Sequence, residues 1–197
     1  MKRNAASTEK ALTLYFDGLR GWEKWLAKNH DSCPGIWLRM AKKDSSVRSV
    51  THKEALEAAL CYGWIDGQIR SESESTWLQR FVPRGPRSIW SKINREAAVA
   101  LIRQGRMKPA GLAAVERAKQ NGRWDAAYEG QKKATVPEDL QAALDKNAKA
   151  KAFFATLDGQ NRYAVLFRIH TAKKAETRAR RIEKFVGMLA KHEKLHP

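Results

Sequence analysis

Between Gly63 and Arg95 the chain reads GWIDGQIRSESESTWLQRFVPRGPRSIWSKINR, a stretch that interleaves tryptophans, arginines and a carboxylate with turn residues. From Thr76 to Lys108 there are eight basic residues against a single acid, Glu96, so the segment attracts anions. Arg84, Arg87 and Lys92 span a Pro-rich turn leading into a helix start, where guanidinium forks and backbone N–H groups suit a phosphate. Trp90 lies among them, and an indole beside arginines stacks on a base or ring, or else staples a helix to its neighbour. Asp66 stands between Ile65 and Gly67, next to Trp64. Its commoner fate is an ion pair with Arg80 or Arg84 across a hairpin, and its rarer one is contact with a ligand or general-base work. The candidate ligand-binding set is therefore Trp64, Asp66, Gln68, Arg80, Arg84, Arg87, Trp90 and Lys92, with no catalytic residue assigned.

Other chemistries find less support. The five histidines and two cysteines show no C-x-x-C spacing, and His192 and His196, four apart, lie at a chain end, so no metal site is expected. There is no G-x-S-x-G, no G-x-x-x-x-G-K-[ST] and no G-x-G-x-x-G, which disfavours an activated serine, nucleotide hydrolysis and dinucleotide redox chemistry. No cofactor is expected. Cys61 lies on the apolar side of an expected core helix and reads as structural.

The elements that must position these residues follow from periodicity. Leu12, Leu14 and Phe16 form an apolar lead-in, and Asp17 reads as the cap of a helix carrying Leu19, Trp22, Trp25 and Leu26. Residues 35–43 alternate Trp37, Arg39 and Ala41 against Ile36, Leu38 and Met40, as a half-buried strand does. Thr51 and Glu54 make a capping box for a helix over about 52–62, stopped by Gly63. Two strands, about 64–72 and 75–83, form a hairpin that places Trp64, Asp66 and Gln68 on one face. Helices follow from Ser91 or Asn94 to Gly105 and from Pro109 to Asn121. Residues 125–136 read as a linker, and four short helices occupy the remainder. The expected fold is α+β, mostly helical, with a small antiparallel sheet: an α+β domain over 1–129 and a helical module over 137–193.

Composition sets the class of partner. A formal charge of +17 and a pI near 10.1 favour nucleic acid, anionic headgroups or phosphorylated metabolites. The beginning of the chain lacks an export signal, no apolar run is long enough to span a bilayer, and two cysteines make no disulfide framework, so the expected compartment is the cytoplasm.

The strings SVTHKEALEAALCYGWIDGQ, TWLQRFVPRGPRSIWSKINRE, GRMKPAGLAAVERAKQNGRWDAAYE and TAKKAETRARRIEKFVGMLA resemble the bacterial YdeI/OmpD-associated, or bacteriocin-protection, family over nearly the whole chain from about Phe16. The resemblance implies a role in withstanding bacteriocins or cationic antimicrobial peptides, a stress response, and carries no catalytic residue onto this chain. The leading expectation is a non-enzymatic protein that binds an anionic ligand or polymer through the Trp/Arg-rich stretch. The alternatives are a small-molecule enzyme acting on a phosphorylated or carboxylated substrate with Asp66 as acid/base, and a protein-docking surface on the C-terminal helices.

Overall fold

A computed structural model describes residues 12–197, which form two compact units. The first holds the residues up to Trp90 together with 94–126, and the second holds 91–93 and 127–197.

The first unit is a four-stranded sheet with helices on one face. Strands β1 (Thr13–Tyr15), β2 (Ile36–Ala41), β3 (Trp64–Ser71) and β4 (Thr76–Pro83) lie in the order β1-β2-β4-β3. The hairpin expected over 64–83 is present and antiparallel, as is the β2–β4 pairing. The sheet is mixed rather than wholly antiparallel, because β1 pairs parallel to β2. Between them runs helix α1 (Leu19–Asn29), which supplies the crossover that a parallel pair needs.

Alternation assigns the faces. Ile36, Leu38 and Met40 of β2 stand opposite Phe81, Gln79 and Trp77 of β4, and this inner face meets Trp22 and Leu26 of α1 and Ala55, Ala58 and Ala59 of α2 (His52–Cys61) in one core. Trp22 and Trp64 are both fully buried there, and an aromatic side chain of that size contributes on the order of 5 kcal/mol by burial. α1 starts at Gly18 without a side-chain cap, so Asp17 does not serve as one. The α2 capping box forms as expected: the Thr51 hydroxyl accepts from the Glu54 N–H and the Glu54 carboxylate accepts from the Thr51 N–H. Gly63, at φ 72°, turns the chain out of α2 into β3. One irregularity matters for the site. A bulge between Asp66 and Ile69 breaks the alternation of β3, so Gln68 is not held to the face of Trp64 and Asp66.

Helices α3 (Lys92–Arg103) and α4 (Pro109–Gln120) follow. α4 reaches α2 at Gly111, where an added Cβ would stand 2.3 Å from the Cys61 carbonyl oxygen. The Lys108 N–H donates to that same carbonyl at 3.0 Å.

The second unit is helical: α5 (Glu138–Asp145), α6 (Ala148–Thr156), α7 (Gly159–His170) and α8 (Ala175–Ala190) surround a core containing Leu140, Leu144, Phe154, Leu166, Ile169, Phe185 and Leu189. Asn147 and Asp158 cap α6 and α7 through their side-chain oxygens. The segment whose composition suggests a linker is packed: Ala127 is buried, Tyr128 bridges Ser91, and the Tyr163 hydroxyl donates to the Glu129 carbonyl at 3.0 Å.

Candidate functional site

The outer face of the sheet, turned away from α1 and α2, gathers Trp37 and Arg39 of β2, Arg70 of β3 and Leu78 and Arg80 of β4. Trp37 sits at the centre. The Arg70 guanidinium lies over its ring at 4.2 Å from the centroid and that of Arg80 at 5.8 Å, two cation–π contacts from neighbouring strands. Together they leave the indole only 7% exposed.

Arg39 and Arg80 have opposite electrostatic circumstances. Arg39 forms a fork with Glu72, with nitrogen–oxygen distances of 2.7 and 2.6 Å, and Glu72 also accepts from the Thr76 hydroxyl at 2.9 Å. Those hydrogen bonds raise the pKa of Arg39 and lower that of Glu72. Arg80 has no carboxylate partner among the described residues, and its Nη1 is buried with no hydrogen-bond partner there. Burial pushes its pKa down, and Arg70 adds to the effect. A guanidinium does not give up its proton in a protein, so Arg80 remains a desolvated cation beside a second cation. Leaving such a donor unsatisfied costs about 1–3 kcal/mol.

The eight residues singled out from the sequence are not brought together. Arg80 joins the outer face. Trp64 belongs to the core: it is fully buried, its indole N–H donates to the His30 carbonyl at 2.9 Å, and Trp25 meets it edge-on. Asp66 pairs with His52 Nε2 at 3.1 Å rather than with Arg80 or Arg84. The reason is alternation, since Asp66 stands opposite Phe81 on the inner face, beside the start of α2, while Arg80 points the other way. Gln68 is exposed at the bulge, where its carbonyl accepts from the Gln79 side chain at 3.3 Å. Arg84 is 5% exposed, lies 3.6 Å over the Trp90 ring and donates to the Ile89 carbonyl at 3.1 Å. Trp90, itself buried, meets Trp124 edge-on at 4.9 Å. The space beside Arg84, Trp90 and Arg117 is about 10 Å³, room for no more than one water, so this pair acts as a structural staple. Arg87 is exposed in its turn, and Lys92 is ion-paired with Glu129.

Trp37, Arg39 and Arg70 are the members of the outer face that the Gly63-to-Arg95 reading omits or passes over. For Trp37 and Arg39 the signal is present in the alternation of residues 36–41. Arg70 is harder to find, because the bulge at 66–69 shifts its face by one residue. His192 and His196 belong to a His-Glu-x-x-His string, but it lies beyond the end of α8, and His192, at φ 60°, stacks on Phe153. The two imidazoles therefore do not share a helical turn, as a zinc-binding pair of that lettering must. Among the described residues no three His, Cys, Asp or Glu side chains cluster, and no helix is long and apolar enough to cross a membrane.

Comparison with known proteins divides the chain in a similar way. Residues 14–114, half of the chain, match the family described as Domain of unknown function (DUF8412), and the chain belongs to that family. Residues 133–192 match the family described as Bacteriocin-protection, YdeI or OmpD-Associated. The resemblance drawn from the sequence is thus shown, and it is carried by the C-terminal part rather than by nearly the whole chain. No curated protein and no solved structure is significantly similar to the chain.

Proposed function

We propose that this is a non-enzymatic protein of bacterial protection against bacteriocins or cationic antimicrobial peptides, acting in the cytoplasm by binding an anionic ligand or polymer on the outer face of its sheet. The description of the family matched by residues 133–192 supports the physiological half of this reading. The observation that carries the binding half is a pair of guanidinium groups held against the face of Trp37: exposed Arg70 and half-buried Arg80, which has no carboxylate partner among the described residues. Capture of a cationic peptide by this chain would oppose charge to like charge, given a net +17. The chain instead suits the anionic targets that such peptides themselves seek.

The test is binding of a fluorescein-labelled single-stranded oligonucleotide and of inorganic polyphosphate over a series of salt concentrations. Each phosphate neutralised on a single strand contributes roughly 0.7 to the slope of log K against log salt. The Arg70→Ala/Arg80→Ala chain should bind more weakly and lose about 1.4 from that slope. Unchanged affinity and slope in that variant, or no binding by the parent at low salt, would remove the proposal. One observation favours a catalytic reading: His52 and Asp66 form a partly exposed imidazole–carboxylate pair beside a β-bulge, an arrangement that suits a general base. Turnover of a phosphorylated or carboxylated substrate, abolished by His52→Gln, would move the assignment there.

A further inference from the structure

The second unit contains a cavity of about 230 Å³ whose walls come from the 127–137 segment and from α7 and α8. Three aromatic rings line it. Phe167 meets Tyr128 edge-on at 4.9 Å and Tyr163 at a tilt at 5.8 Å, and Leu166 continues the apolar wall. Tyr163 is fixed by its hydrogen bond to the Glu129 carbonyl, and burial pushes its pKa up to about 12, so at neutral pH the ring carries no charge.

Three ionisable residues share the lining: Arg178, His170 and Glu129, whose carboxylate is ion-paired with Lys92. The guanidinium of Arg178 is held in place: Nε and Nη2 donate to the Asp139 carboxylate at 2.6 and 2.8 Å, and Nη1 donates to the Ile169 carbonyl at 3.0 Å. Those three bonds use three of the five guanidinium hydrogens and fix the orientation of the group at the cavity wall. The unit around the cavity carries sixteen Lys and Arg against eight Asp and Glu, which disfavours a cationic guest. Flat apolar walls, an orienting guanidinium and a basic surround together select a ring bearing an acid.

We infer that this cavity binds a small planar aromatic molecule carrying a carboxylate, its ring against Phe167 and Tyr128 and its acid group at Arg178. Such a site is separate in residues and in chemistry from the outer sheet face, and it stands whether or not that face binds polymers. The cavity is large enough for one substituted six-membered ring and too small for a nucleotide.

The test uses the full chain, titrated with phenylacetate, its neutral isostere phenylacetamide and the cation benzylamine, followed by ¹H–¹⁵N and aromatic ¹H–¹³C spectra. The inference expects phenylacetate to bind about fivefold tighter than the amide, the difference between a charge-assisted and a neutral hydrogen bond, and benzylamine weakest. The shifts should centre on Phe167, Tyr128 and the Arg178 Nε–H. Phe167→Leu keeps an apolar side chain and should weaken all three probes. Thr135→Trp, at an exposed position in the lining, should block phenylacetate without altering the unfolding transition. The Arg70→Ala/Arg80→Ala chain should bind phenylacetate as the parent does. Equal affinity for the three probes, phenylacetate shifts that follow the sheet arginines, or no binding at millimolar concentration would each overturn the assignment.

Discussion

Replacing Gly111 by Ala tests the packing on which the first unit depends, because the site's sheet is fixed at its β3 end by the approach of α4 to α2. A Cβ at 111 would lie 2.3 Å from the Cys61 carbonyl oxygen and 2.8 Å from that of Leu60, where real contacts stay beyond 3.0 Å. Both neighbours are backbone and cannot rotate away, so α4 must move by almost 1 Å. That displacement disturbs the buried residues Ala114, Val115 and Ala118 and the Lys108-to-Cys61 hydrogen bond. Overpacking of this kind costs about 3 kcal/mol and the lost hydrogen bond about 1, while alanine in place of helical glycine returns about 1. The net expectation is a loss of about 3 kcal/mol. All seven tryptophans lie in the first unit, so urea unfolding followed by indole fluorescence reads that unit alone. At a slope of roughly 2 kcal/mol per molar, the midpoint should fall by about 1.5 M. The control is Gly187→Ala on α8, where nothing stands within 4 Å of the new Cβ. Followed by far-ultraviolet circular dichroism, it should stabilise the second unit by about 0.5–1 kcal/mol. A Gly111→Ala chain as stable as its parent would refute the close helix contact and the reasoning from it.

Thr51→Ala removes the hydroxyl half of the α2 capping box, while the backbone N–H of residue 51 still donates to the Glu54 carboxylate, and should cost the first unit about 1 kcal/mol in the same urea assay. Native protein treated with a chromogenic disulfide should release one fast equivalent, from half-buried Cys33. Cys61, whose thiol burial pushes upward in pKa, should react only on unfolding. The Arg178 guanidinium holds the Asp139 carboxyl below its ordinary 3.8. Its contribution is therefore present above about pH 4 and lost as the pH falls through the lower folded value. With the Asp139 side chain 45% exposed the loss is about 1 kcal/mol or less, and Asp139→Asn should flatten that part of an acid titration followed by circular dichroism.

Local signals in the sequence carried the helices and the hairpin. Thr51 and Glu54 announce α2, Gly63 its end, and the spacing of Leu140, Leu144, Phe154, Phe167 and Phe185 the helices of the second unit. Non-local pairing was not legible. Three residues at 13–15 become a strand only because α1 returns the chain beside them, and that parallel pair makes the sheet mixed. The site was legible in kind, as arginines around an indole, but not in membership. Trp37 meets Arg70 and Arg80 across three strands, and a one-residue bulge decides which face Arg70 takes. Trp64 and Trp90 lie in the richer-looking segment yet are consumed by packing, because large aromatics next to turns bury more surface by closing a core than by facing water. Asp66 lost its expected arginine to alternation and gained His52 from a helix whose distance in space no spacing rule conveys.

Titration with a single-stranded oligonucleotide at low salt, followed through the tryptophan indole N–H resonances, reports whether anions bind the face centred on Trp37. The Trp37 signal and the Arg70 and Arg80 Nε–H signals should move together with a common Kd, while the buried Trp22 and Trp64 signals stay in place. Movement confined to the signals of Trp90 and Arg84, or a Trp37 signal unchanged at saturation, would contradict it.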